Sequence, residues 1–81
     1  MASSCTVQLV VELLHTRVGV PPTMSGIETM TWEELGVESL GLTEVSTGLE
    51  QALDMVLPLN DVLQTKNINE LVTVVNALGV A

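Results

Sequence analysis

The chain contains neither phenylalanine nor tyrosine, and Trp32 is its only aromatic residue. Its core must therefore be aliphatic, built from Val, Leu, Ile and Met. Stacking of nucleic-acid bases, which needs several aromatic faces, lacks its aromatics here. Cations are nearly absent: two Lys and Arg stand against ten Asp and Glu, a formal charge of −8. None lies between Arg17 and Lys66, an interval that holds Glu28, Glu33, Glu34, Glu38, Glu44, Glu50, Asp54 and Asp61. Nucleic acid is not an expected partner, because phosphate contacts need cationic side chains. Basic protein surfaces are, steered by charge and weakened by salt. Surface acids also serve solubility alone.

Cysteine is scarce too. Cys5 is alone, which excludes an internal disulfide and a thiolate metal cluster. His15 is the only histidine, so neither residue has ligand partners at metal-site spacing. The longest apolar run, Cys5 to Leu14, is broken by Gln8 and Glu12. It is far short of the ~20 residues that span a bilayer. Met-Ala-Ser-Ser lacks the basic start of a secretory signal. The expectation is a soluble, cytoplasmic monomer with no membrane partner, and the start at Met1 favours a free-standing protein.

The 81 residues make one domain, 1–81. A domain of this size buries roughly 60–65% of the surface its unfolded chain exposes, which leaves little room for a deep, water-free catalytic cleft.

Helical periods organise the chain. Ser3 or Ser4 is the expected cap of a first helix. Val7, Val10, Val11, Leu14 and Val18 mark its apolar face. Gly19-Val20-Pro21-Pro22 stops it, placing its end near Arg17. A loop follows, with Ile27 and Met30 dipping into the core. Thr31-Trp32-Glu33-Glu34 matches the capping box S/T-x-x-E and predicts one helical turn ending at Gly36, with Trp32 and Leu35 packed inward.

A second long helix begins at about Ser39. Leu42, Val45, Leu49, Ala52, Leu53 and Val56 form its apolar face, and Pro58 forbids its continuation. Gly41, Thr43, Glu44, Thr47, Gln51 and Asp54 point away from the core. Ser46 and Gly48 are among its weak helix formers, so packing must hold it. Leu59 to Leu63 predicts a short helix capped by Asn60 or Asp61. Asn67-Ile68-Asn69-Glu70 starts a last helix, with Ile68, Leu71, Val72, Val75 and Leu78 on one face and Gly79 closing it. The predicted fold is all-α: a small four-helix bundle of three longer helices and one short one.

The stretch Leu35-Gly36-Val37-Glu38-Ser39-Leu40-Gly41-Leu42 carries the chemistry. It sets one serine at a loop-to-helix junction, where backbone N–H groups face outward and favour negative charge. A phosphate-bearing group can be held there without burial of its charge. An ordinary N-cap serine has the same pattern. Hydrolase chemistry fails on spacing: a nucleophile elbow reads G-x-S-x-G, and Gly36-Val37-Glu38-Ser39-Leu40-Gly41 has one residue too many before the serine. No second base completes a triad with His15. A serine without an activating base must be modified by another protein.

Trp32-Glu33-Glu34-Leu35-Gly36-Val37-Glu38-Ser39-Leu40, then Leu49-Glu50, then Asn67-Ile68-Asn69-Glu70-Leu71-Val72 resemble the acyl carrier protein family over essentially the whole chain. That family carries L-G-x-D-S-L at the start of its second long helix. The resemblance implies a covalent 4′-phosphopantetheine arm on Ser39, installed from coenzyme A by a phosphopantetheinyl transferase. It implies acyl groups carried as thioesters between partners such as a ketosynthase, an acyltransferase or other acyl-processing enzymes with basic docking surfaces. Glu38, Leu40, Glu44 and Glu50 match the partner-docking positions, and Val62, Leu63 and Ile68 the region of the acyl-chain cavity, where plain core packing is equally expected.

Glu38 stands where the family usually has Asp, and Asn67 where it has a Thr cap. Gly41 and Gln51 replace acids common in fatty-acid carriers, which favours a polyketide-type carrier over one for fatty acid biosynthesis. Two alternatives stand beside it. A peptidyl carrier would resemble G-G-x-S, and an acidic helical interaction module without a prosthetic group would leave Ser39 unmodified.

Overall fold

Thr6, not Ser4, starts the first helix of the computed structural model, which describes residues 4–23 and 25–78. The Leu9 N–H donates to Thr6 Oγ1 at 3.1 Å. The cap cannot lie earlier, because Asn76 clasps the backbone of Cys5. The Cys5 N–H donates to Asn76 Oδ1 at 2.8 Å, and Asn76 Nδ2 donates to the Cys5 carbonyl at 3.0 Å. Ser3 lies outside the described residues.

Helix α1 is Val7–Leu13, and its axis continues as a π-helix over Leu14–Val18. The wider winding ends at Gly19, whose φ of 88° is the left-handed conformation that glycine adopts without a Cβ penalty. Val10 and Leu14 are fully buried on the predicted face. Ile27–Thr29 form a 3-10 turn with Ile27 buried and Met30 half-buried.

Helix α2 is the single turn Trp32–Leu35, and its capping box is complete. The Glu34 N–H donates to Thr31 Oγ1 at 3.1 Å, and the Thr31 N–H to Glu34 Oε1 at 2.9 Å. Trp32 is buried, and its Nε1–H donates to Thr65 Oγ1 at 3.1 Å.

Helix α3 is Ser39–Leu53. Leu42, Val45 and Leu49 are buried, as their period requires. The helix stops well before Pro58. Asp54 turns left-handed at φ 53°, and Glu50 gathers the chain behind it. The Met55 N–H donates to the Glu50 carbonyl at 3.2 Å, and the Leu57 N–H to Glu50 Oε2 at 2.8 Å. Two positions of the predicted apolar face are thereby corrected: Ala52 is exposed, and Val56 is 85% exposed on the loop. Ser46 and Gly48, read from sequence as weak helix formers, are both buried, Gly48 against Leu13 and Arg17. A Cβ on Gly48 would lie 2.7 Å from Leu13 Cδ2, so the end of that leucine occupies the space a side chain at 48 would take.

Helix α4 is Leu59–Leu63. Its cap is Pro58, not Asn60 or Asp61: the Pro58 carbonyl accepts from the Asp61 and Val62 N–H groups at 3.1 and 3.3 Å. Helix α5 is Ile68–Leu78. Asn67 caps it as predicted, accepting from the Glu70 N–H at 2.9 Å. Ile68, Leu71 and Val75 are buried, whereas Leu78 is 42% exposed. Gly79 lies outside the described residues.

Helix α1 packs on both α3 and α5, and α4 closes the bundle against the same two. The result is the predicted all-α bundle of three longer helices and a short one, with α2 as an added turn. Among the described residues there is no strand, only one isolated bridge between Thr31 and Asn67. No described helix is long and apolar enough to cross a membrane. The radius of gyration, 11.5 Å, is close to the roughly 12 Å expected of a folded domain of this length.

Candidate functional site

Ser39 is delivered by a short rigid lead. Buried Trp32 anchors it. The Gly36 N–H donates to the Glu33 carbonyl at 3.0 Å, and the Val37 N–H to the Trp32 carbonyl at 2.8 Å. Gly36 makes the turn at φ 74°, and Val37 plugs into the core. The chain then emerges at Glu38, whose extended backbone (φ −96°, ψ 177°) occupies the cap position of α3.

The helix begins at Ser39 as its sequence predicts. Ser39 is the first helical residue rather than the N-cap, so its hydroxyl is not committed to capping. The residue is exposed, and among the described residues no hydrogen bond engages its Oγ. Glu38 makes no side-chain cap bond either. The first intrahelical bond runs from the Leu42 N–H to the Glu38 carbonyl at 3.0 Å. The N–H groups of Ser39, Leu40 and Gly41 therefore have no intrahelical acceptor. They present partial positive charge at an exposed helix start, which suits a phosphate ester. A phosphodiester on Ser39 Oγ fits this junction: it needs an unburied hydroxyl, free donors nearby and no side chain covering it.

Of the residues matched to docking positions, Glu38, Leu40 and Glu44 are exposed around Ser39, Leu40 at 75%. Glu50 is elsewhere. It lies eleven residues along α3, about 17 Å at 1.5 Å per residue. It is half-buried, with its carboxylate spent on the Leu57 N–H. Of the three residues matched to an acyl cavity, Val62 and Ile68 have no exposed surface and belong to the core, while Leu63 is 37% exposed.

The sequence reading missed Arg17 and Val18. With Glu38, Leu40, Gly41 and Glu44 they line a shallow pocket of about 280 Å³ beside Ser39. Only the antiparallel packing of α1 on α3 brings them there, so no local pattern announces it. Arg17 donates from a terminal nitrogen to Gln51 Oε1 at 3.0 Å.

Other chemistry finds little footing. Among the described residues no group of three or more His, Cys, Asp and Glu could hold a metal ion. Burial pushes the Cys5 thiol up to about 11, so it is protonated at neutral pH and offers no thiolate. His15 Nδ1 lies 3.2 Å from the Val20 carbonyl at the end of the π-helix.

The comparisons with known proteins agree with this geometry. Residues 8–75 match the family described as PP-binding, the phosphopantetheine attachment site. No curated protein is a significant match to the chain. Among solved structures, the malonyl acyl carrier protein of the actinorhodin polyketide synthase of Streptomyces coelicolor superimposes with a TM-score of 0.80. It is 20% identical, with 100% of both chains covered. The 3-oxo-butyl form from the same synthase gives a TM-score of 0.79 at 21% identity, covering 95% of this chain and 93% of that one. The holo actinorhodin carrier gives 0.69 at 22%, with the same coverage. Identities this low establish the fold. The family match spans most of the sequence, and the chain belongs to the phosphopantetheine attachment-site family, in the fold of the acyl carrier proteins.

Proposed function

We propose that this protein is an acyl carrier of polyketide type, with 4′-phosphopantetheine joined to Ser39. The observation that carries the proposal is the placement of Ser39: exposed, uncommitted, at the first turn of α3, within a chain matched over residues 8–75 to the attachment-site family. The structural neighbours that carry malonyl and 3-oxo-butyl groups support the polyketide assignment.

In loading, the Ser39 oxygen forms a new P–O bond with coenzyme A as the anhydride P–O bond breaks and adenosine bisphosphate leaves. The hydroxyl proton passes to the transferase, since no base of this chain is held against Ser39. The group supplies a thiol that carries acyl chains as thioesters. The chain itself supplies attachment, and tethering raises the concentration of the cargo at each partner. Glu38, Leu40 and Glu44 form the docking patch around the arm: two carboxylates for basic partner surfaces and one exposed leucine between them. Glu50 serves that patch indirectly, by holding the loop after α3. The partners are a phosphopantetheinyl transferase and enzymes such as a ketosynthase or acyltransferase. The protein acts without catalysis of its own, as a cytoplasmic monomer.

Intact mass after incubation with coenzyme A and a broad-specificity transferase tests this. Wild type should gain one phosphopantetheinyl group, and Ser39→Ala should gain none while keeping its helical circular dichroism. No gain on wild type with two different transferases would overturn the proposal and leave an acidic interaction module.

A further inference from the structure

We infer that Arg17 determines which partner docks: the ketosynthase that this chain serves sets a carboxylate against it, beyond the basic groups that meet Glu38 and Glu44. The inference rests on the carrier reading and names the charge pattern its partner must show. Glu44, Gly48 and Gln51 recur at i, i+4 and i+7, so they form one stripe along α3. Arg17 crosses from the π-helix onto that stripe. It donates to Gln51 Oε1 at 3.0 Å, and a Cβ on Gly48 would lie 3.1 Å from its Nε. Gly48 leaves room for the guanidinium, and Gln51 fixes its direction.

The positive charge survives that placement. An amide oxygen accepts a hydrogen bond without neutralising the cation, whereas an acid at position 51 would form an ion pair with it. The partner of Arg17 is that amide rather than Glu44, although Arg17 and Glu44 line the same groove. Arg17 and Gln51 are both exposed. The one acid in the second half of α3, Glu50, has its carboxylate on the Leu57 N–H.

The exposed face of α3 is therefore split. Glu38, Leu40 and Glu44 lie over its cap and first two turns. One cation lies over its last two, about 14–18 Å from Ser39 at 1.5 Å per residue. On a chain of net charge −8, this is where a uniformly basic partner meets like charge. Complementary charge attracts the right partner, and like charge turns away the wrong one. A basic surface with one carboxylate opposite Arg17 fits both halves.

The probe is the ketosynthase of this chain's own synthase, with the loaded carrier as substrate and turnover followed against carrier concentration. Intact mass confirms loading of each variant, and circular dichroism its fold. Arg17→Gln should raise KM about three- to fivefold with kcat unchanged, the size of one exposed ion pair. Gln51→Glu keeps Arg17 in place and ties it more strongly to α3, yet should raise KM as much, because it cancels the charge. A role in packing alone predicts no loss from Gln51→Glu, and a uniformly basic partner predicts a lower KM. A KM unchanged or lowered by either substitution would overturn the inference. Arg17→Glu should lose more, and one carboxylate-to-lysine change on the ketosynthase surface should restore it; a scan of those carboxylates that finds no such restoration would also overturn the inference. So would a loaded wild type that gives no saturable turnover. These results leave the carrier reading standing, whereas failure of the wild type to load would overturn both.

Discussion

Replacing Thr65 with Val should cost about 2 kcal/mol of stability, because it removes the only acceptor of the Trp32 indole while keeping the side-chain shape. Thr65 and Trp32 are 6% exposed each, so water cannot substitute for the lost oxygen. An unsatisfied buried donor costs about 1–3 kcal/mol. The hydroxyl also donates to the Val62 carbonyl at 2.6 Å, and that bond contributes about 1 kcal/mol more. The added methyl returns up to about 0.8 kcal/mol through apolar burial. With an unfolding entropy of about 2.1 cal/mol/K per residue, 81 residues give about 0.17 kcal/mol/K. The melting point should then fall by about 12 °C. Urea titration followed by Trp32 emission reads this cleanly, since the chain has no other aromatic residue. Thr65→Ser, which keeps both bonds, should lose about 0.8 kcal/mol, one buried methyl group. A Thr65→Val loss under about 0.5 kcal/mol, the range of ordinary surface changes, would refute the reasoning. The effect bears on function, because the Trp32 carbonyl holds Val37 and so the turn that delivers Ser39.

Three further outcomes are expected. Asp54→Gly should raise the urea midpoint by the equivalent of about 1 kcal/mol, since it relieves a left-handed φ of 53° and removes a negative charge from a helix C-terminus; a lowered midpoint would show that the side chain is needed there. Gly48→Ala should change stability by less than about 1 kcal/mol, because a helix-propensity gain of about 1 kcal/mol is offset by the shift its Cβ, 2.7 Å from Leu13 Cδ2 and 3.1 Å from Arg17 Nε, forces on those two side chains. Calorimetry checks this, and a larger change in either direction would show that the two effects do not offset. Cys5 is an acid whose folded value, about 11, lies above its ordinary 9.0, so the folded state binds more protons between the two. Stability should fall as pH rises from about 9 to about 11, and more steeply than in Cys5→Ala; equal slopes would remove the thiol as the cause.

The turn at Trp32, the cap at Asn67 and the junction at Ser39 were legible because their signals are local. A capping box closes within four residues, and a glycine in a left-handed turn needs no distant partner to be recognised. The apolar faces of α1 and α5 were legible for a related reason: a helical period shows which side must be buried, whatever buries it. The end of α3 was not. Pro58 suggested a later stop, but the helix yields at Asp54 because Glu50 satisfies the Leu57 N–H across the turn. That bond reaches seven residues along the chain, and no local breaker signals it.

Sequence alone determined the fold class, the aliphatic core, the acidic surface and the one serine at an exposed helix start. Tertiary structure alone decided which neighbours that serine has. Arg17 and Val18 lie more than twenty residues from Ser39 in sequence, and only the packing of α1 and its π-helical end on α3 brings them to its side. Period and capping are properties of a few consecutive residues. A pocket between two helices depends on how near their backbones come, and no short stretch of either helix states that distance.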